Sequence, residues 1–301
     1  MGLNKLTAGQ IATGSILVSV LVLLFKLAAW YMSGSIALFS DAMESLVNVS
    51  AAVLAWFAVR YAQRPADEDH PFGHHKAEYF SAVAEGFLII LAAVLIVEQA
   101  VEAIVTGTHA DWGVWALGIN AIAMAANFLW ARALILAGGR LNSPAFSAGG
   151  RHLMSDVWTS VGVLVGLLLV LATGWSILDP IIALLVAVNI LREGLHVVSD
   201  SVAGLMDSAA SDDEQAQIRE IIHTNAEGAL QVHGIKTRRA AQVLFVEFHM
   251  VVDGRMSVAE SHAICDHLEA KLTAALPGVE VTIHVEPETK LEPGGIAPIA
   301  D

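Results

Sequence analysis

Two stretches of ligand-type side chains, SDAMESLVNVS and GRHLMSDVWTS, lie inside apolar runs of this 301-residue chain. The first carries Glu44 and Asn48 and the second His152 and Asp156, each pair spaced i, i+4. That spacing sets both side chains on one helix face, one turn apart. Two helices presenting such pairs at similar depth can close a four-coordinate site for a divalent ion from carboxylate, amide and imidazole. An ionisable group inside a membrane span costs at least about 2.5 kcal/mol on insertion scales, so each one needs a partner or a purpose. Helix-packing hydrogen bonds account for isolated intramembrane Asn and Ser residues, but two matched pairs are hard to explain that way. Lys26, Glu85, Asn120 and Asn127 occur singly. Lys26 is expected to pair with a carboxylate or to snorkel toward a headgroup, and Glu85 to be either a packing partner or part of a proton route.

A third concentration, HPFGHHKAEY at 70–79, joins two apolar runs. His70 and His74 are again four apart, yet Pro71 and Gly73 between them predict a loop rather than a regular helix. On residue types alone the joint has two readings, an ion-holding loop or a solvated basic turn at lipid headgroups.

The elements that must position these groups are membrane spans. The chain is 55% hydrophobic and 15% charged, with a mean hydropathy of +0.62, too apolar for a soluble domain of this size. A span needs about 20 mostly apolar residues, and six runs qualify, at roughly 10–32, 36–60, 78–105, 112–137, 145–173 and 177–199. The turns at Ser33 to Ser35, Thr106 to Asp111 and Thr173 to Asp179 hold no cation, whereas the other side carries Lys5, Arg60, Arg64, Lys76, Arg132, Arg140, Arg151 and Arg192. Cytoplasmic loops hold the excess of Lys and Arg. This predicts a multi-pass protein of the inner (plasma) membrane with the joint and both termini in the cytosol. The first run is long and lacks a small-residue cleavage site, so no cleavable signal peptide is expected.

A net charge of −14 argues against a nucleic-acid partner. The single cysteine, Cys265, rules out a disulfide or a multi-thiolate cage within one chain, which leaves His and carboxylates to hold any metal. No H-E-x-x-H occurs, and four protein ligands leave no open position for an activated water, so an enzyme is not expected.

Beyond Asp207 charge returns and the pattern reads helix, strand, strand, helix, strand. Ser211-Asp212-Asp213-Glu214 and Ser257-Val258-Ala259-Glu260 both fit the capping box S-x-x-E, so helices are expected to begin there. In QVLFVEFHMVVD, Leu244, Val246, Phe248 and Met250 alternate with Glu247 and His249, and in VEVTIHVE, Val281, Ile283 and Val285 alternate with Thr282, His284 and Glu286. His249 and His284 thus fall on polar strand faces, His262 on the intervening helix and His233 at the start of the first strand. Four histidines left over after core assignment point to metal binding. The expected fold is an α-helical membrane protein with six transmembrane helices (1–206), a small cytosolic α/β metal-binding domain of αββαβ order (207–290), and a flexible tail (291–301).

SIALFSDAMESLVN, RPADEDHPFGHHKAEYF, HLMSD and the GLMD closing the sixth span together resemble the cation diffusion facilitator family over nearly the whole chain. The resemblance implies a homodimeric antiporter that exports Zn2+ or a related divalent ion in exchange for protons. Carried over by position, the transport site is Glu44, Asn48, His152 and Asp156, the joint site Asp67, His70 and His74, and the C-terminal sites His233, His249, His262, His284 and Glu286. Lys76 is implied to pair with Asp207 across a dimer hinge. Zinc-transporting members often have Asp or His where this chain has Glu44, and Asp where it has Asn48. The site thus loses one formal charge while keeping an imidazole that Mg2+ or Ca2+ would not favour. Zn2+ is the expected substrate and regulatory ligand; Fe2+, Mn2+, Co2+ and Ni2+ stay open, as does a membrane-anchored metal sensor that does not transport.

Overall fold

The computed structural model describes residues 8–107, 114–140 and 144–298. Six long helices come first: α1 (Ala8–Ser33), α2 (Ile36–Ala62), α3 (Ala77–Thr106), α4 (Val114–Arg140), α5 (Pro144–Thr173) and α6 (Leu178–Leu205). All six are long and apolar enough to cross a membrane. They agree with the expected runs, α6 continuing six residues further than the apolar pattern suggests. Lys5 and positions 108–111 of the expected cation-free turn lie outside the described residues, as do the side chains of Arg140 and Arg151.

The chain divides into two compact units, Met1–Phe57 with Ser81–Ser199 and Ala58–Phe80 with Asp200–Asp301. In the first, α2 borders two apolar clusters. Leu38 packs with Ala29, Leu117, Val163 and Leu167 from α1, α4 and α5, while Ile36, Phe39 and Met43 pack on Ile96, Ala100, Ala187 and Ile190 from α3 and α6. Small residues permit the closest helix approach, since a Cβ at Gly86 of α3 would stand 2.5 Å from Val198 Cγ2 and one at Gly194 of α6 would stand 2.8 Å from Ile89 Cγ2. Such small-residue seams are how helices pack where lipid already solvates apolar groups. Leu24, Phe57, Phe87, Leu129, Leu168 and Leu185 point outward, as lipid-facing side chains do.

The second unit contains α7 (Asp212–Asn225), β1 (Gln231–Ala240), β2 (Val243–Val252), α8 (Val258–Ala275) and β3 (Val279–Pro287). Both capping boxes form: Ser211 and Ser257 accept from the N3 backbone, and Glu214 and Glu260 reach back. The sheet order is β1-β2-β3, antiparallel then parallel. One sheet face, with Val232, Leu244, Val246, Phe248 and Met250, packs on Ile218, Ile222, Leu268 and Leu272 of the two helices. Val285, expected inward, is exposed near the end of edge strand β3, and Phe245, on the same face as Glu247 and His249, is buried. Phe245 is covered because Arg238 stacks over it at 4.1 Å and over Phe72 of the joint at 4.8 Å. The tail expected from residue 291 is tied back at Ile296, whose backbone exchanges two 2.8 Å hydrogen bonds with Val232.

Candidate metal centres

Glu44, Asn48, His152 and Asp156 line one cavity of about 130 Å³ between α2, α3, α5 and α6. Asp156 is buried, Glu44 and Asn48 are partly buried, and His152 is exposed. The Asn48 amide donates to Asp156 Oδ2 at 2.7 Å, so the two helices meet through these side chains. Thr159 was not foreseen: its hydroxyl lies 3.2 Å from Glu44 Oε2 and donates to the Asp156 carbonyl at 2.8 Å. Its spacing of three from Asp156 and seven from His152 is the signal that it shares their helix face. Asn189 and Glu193 of α6 complete the polar lining. Two carboxylates lining one cavity offer the charge that a dication requires, and the imidazole adds the borderline nitrogen ligand that transition metals favour.

Lys26 does pair with a carboxylate. Its ammonium stands 2.8 Å from Asp41 Oδ1 and 3.3 Å from Ser160 Oγ, and Ser160 donates to the same Asp41 oxygen at 2.6 Å. All three side chains are fully buried.

The joint is a loop, as Pro71 and Gly73 require; Gly73 adopts φ +78°, and its N–H donates to the His70 carbonyl at 2.9 Å. This turn brings His70 Nδ1 to 3.1 Å and His74 Nε2 to 3.4 Å from the two Asp67 carboxylate oxygens. The His70 backbone N–H, 2.7 Å away, holds the Asp67 carboxyl below the usual carboxylate range, with the two imidazoles adding to the effect. His74 is buried edge-on to Tyr61, and its Nδ1 has no hydrogen-bond partner. Three converging donors with one orphaned buried nitrogen fit a cation better than they fit a solvated turn.

Lys76 pairs with Asp207 at 2.8 Å, but within one chain, and also donates to the Leu205 carbonyl at 3.2 Å. Asp207 follows α6 directly in a left-handed turn, φ +60°, which returns its carboxylate to the start of α3. The Lys76 hydrogen bond holds the Asp207 carboxyl below its ordinary value, helped by Arg238 at 3.7 Å.

In the sheet His233, His249 and His284 stand side by side in register on the face opposite the helices. Glu286 reaches back to them, with carboxylate oxygens 3.3 Å from His233 Nε2, 3.6 Å from His249 Nδ1 and 3.7 Å from His284 Nε2. Glu286 Oε2 and His233 Nδ1 are buried without hydrogen-bond partners. An acceptor left bare among three imidazoles suits a shared cation. His262 is not part of this cluster: it is exposed on α8, with Nε2 3.6 Å from Asp266 Oδ1. The reason is topological, because α8 covers the apolar face of the sheet.

Residues 12–206 match the family model described as the cation efflux transmembrane domain, and residues 210–288 match that of the cation efflux protein cytoplasmic domain. The chain belongs to the cation diffusion facilitator family of cation efflux transporters. It is 40% identical over 262 residues to a transporter of Synechocystis sp. described as uncharacterized, covering 87% of this chain and 84% of that one. It is 30% identical over 267 residues to the cation-efflux pump FieF of Yersinia pestis, covering 89% and 88%. Among solved structures it is similar to the zinc form of CzrB, at 45% identity over 29% of this chain and 98% of that one, TM-score 0.28. The metal-bound C-terminal domain of the CzcD transporter from Thermotoga maritima matches at 28% identity over 27% and 93%, TM-score 0.25.

Proposed function

We propose that the protein exports a divalent transition-metal ion, Zn2+ first, from the cytosol in exchange for protons, as a homodimer in the plasma membrane with both termini cytosolic. One observation carries this reading, the cavity in which α2 and α5 present Glu44, Asn48, His152 and Asp156 together. The two carboxylates match the charge of a dication, and Asn48 can ligate once its amide turns away from Asp156 to offer Oδ1. Metal ligands must be deprotonated, so ion and protons compete for the same groups. His152, the one imidazole of the quartet, is the proton carrier of this reading. Alternating access between cytosolic and external openings then couples proton entry to metal release. Arg60, Arg64, Lys76, Arg132 and Arg192 support the cytosolic assignment of the joint side. The joint and sheet clusters supply sites for waiting or regulatory ions, with the sheet ligands His233, His249, His284 and Glu286 able to report cytosolic metal.

Fe2+ or Mn2+ export through the same cavity is the second reading, favoured by Asn48, a harder and weaker ligand than carboxylate. The test is Zn2+ flux into proteoliposomes with proton movement recorded simultaneously. Flux accompanied by opposite proton flow supports exchange, and flux that moves no protons and ignores a pH gradient rules it out.

A further inference from the structure

The buried pair of Lys26 and Asp41 has no part in the quartet, yet it stands beside it. Asp41 precedes Glu44 by three residues on α2, and Ser160 follows Asp156 by four on α5. Each is therefore one turn, about 5 Å, from a transport ligand on the same helix face, both displaced toward the α1–α2 turn. Lys26 from α1 closes the triangle, and its side chain and that of Asp41 are each only 1% exposed. Such a pair is a poor device for stability. Its desolvation offsets its attraction, and an apolar pair of similar volume would serve as well. Here it is also incompletely satisfied, because Asp41 Oδ2 is buried with no hydrogen-bond partner. An intramembrane charge kept under those conditions marks function.

We propose that Lys26 is the resident counter-cation of the transport cavity, held by Asp41 and Ser160, and that it cancels the third carboxylate so the site presents the charge of two that a dication neutralises. The inference rests on the transport-site reading above. Without Lys26, three carboxylates, Asp41, Glu44 and Asp156, would crowd one ion. Without Asp41, an ammonium would repel it. Glu193 also lines the cavity, but it is exposed, unlike Asp41 and Asp156.

The test is equilibrium Zn2+ binding and KM for Zn2+ flux by the full chain, with folding checked by gel filtration. Lys26→Met should tighten binding, lowering KM at least about tenfold while slowing turnover. Asp41→Asn should raise KM by a similar factor. The neutral double variant Lys26→Met/Asp41→Asn should return KM to within about threefold of the parent, and Lys26→Arg should keep it. A structural role alone would shift both single variants the same way, and that result overturns the proposal. Should Lys26→Met fail to fold, Asp41→Asn against the double variant still decides, equal KM values being the contrary result. Asp156→Ala run alongside separates the two claims: if it retains flux the transport-site reading fails, and if it abolishes flux while the charge variants leave KM unmoved only the counter-cation fails.

Discussion

Asn48→Asp adds a third carboxylate to the quartet, and the structure makes its consequence calculable. The parent amide donates to Asp156 Oδ2 at 2.7 Å. The substitution removes that donor and sets two carboxylates face to face. Even if relaxation opens the gap to about 4 Å, like charges at an effective dielectric near 20 repel by about 4 kcal/mol. The lost charge-assisted hydrogen bond adds roughly 1.5 kcal/mol or more. With about 2 to 4 °C per kcal/mol for a chain approaching this size, the metal-free variant should melt on the order of 10 °C below the parent. Zn2+ reverses the sign, because both carboxylates become ligands and tighter binding adds stability in proportion to the logarithm of saturation. The assay is thermal unfolding in detergent, with chelator and with excess Zn2+. A lower metal-free midpoint and a Zn2+ shift at least about 5 °C larger than the parent's are expected. A variant equal to the parent in both conditions would show that Asn48 and Asp156 do not share one ion cavity.

Gly194→Ala should cost roughly 1 to 3 kcal/mol by overpacking, seen as a lower melting temperature, because its new methyl meets Ile89 and the Gly86 carbonyl of α3. His249→Ala should lower the zinc stoichiometry of the full chain while His262→Ala leaves it unchanged, measured by equilibrium dialysis, since only His249 joins Glu286. Lys76→Met should destabilise by less than about 1 kcal/mol at pH 7, the side chains of the pair being 35% and 46% exposed. Because Lys76 depresses the Asp207 carboxyl below its ordinary value, that difference is present above about pH 4 and fades as pH falls through the depressed value, so the gap between parent and variant melting curves should narrow as pH is lowered below about 4.

Much of this was legible in one dimension. Hydropathy located six spans, the capping boxes at Ser211 and Ser257 located both soluble helices, and i, i+4 spacing picked out the quartet. These signals are local, set by residues within a turn or two of each other. What escaped depends on which faces of distant elements meet. His262 has the right residue type, but α8 lies on the other side of the sheet from His249. Phe245 obeys strand alternation, yet Arg238 and Phe72 cover it. Lys26 called for a carboxylate, but that Asp41 supplies it and Ser160 braces it required α1, α2 and α5 in place.

The central claim is that α2 and α5 jointly hold one dication. It is tested most directly by zinc X-ray absorption on the full chain with His70, His74, His233, His249 and His284 replaced, so that only the transport quartet can retain the ion. The account predicts one zinc per chain in a shell of oxygens with a single imidazole nitrogen, lost on His152→Ala or Asp156→Ala. No retained zinc, or a shell unchanged by both substitutions, would contradict it.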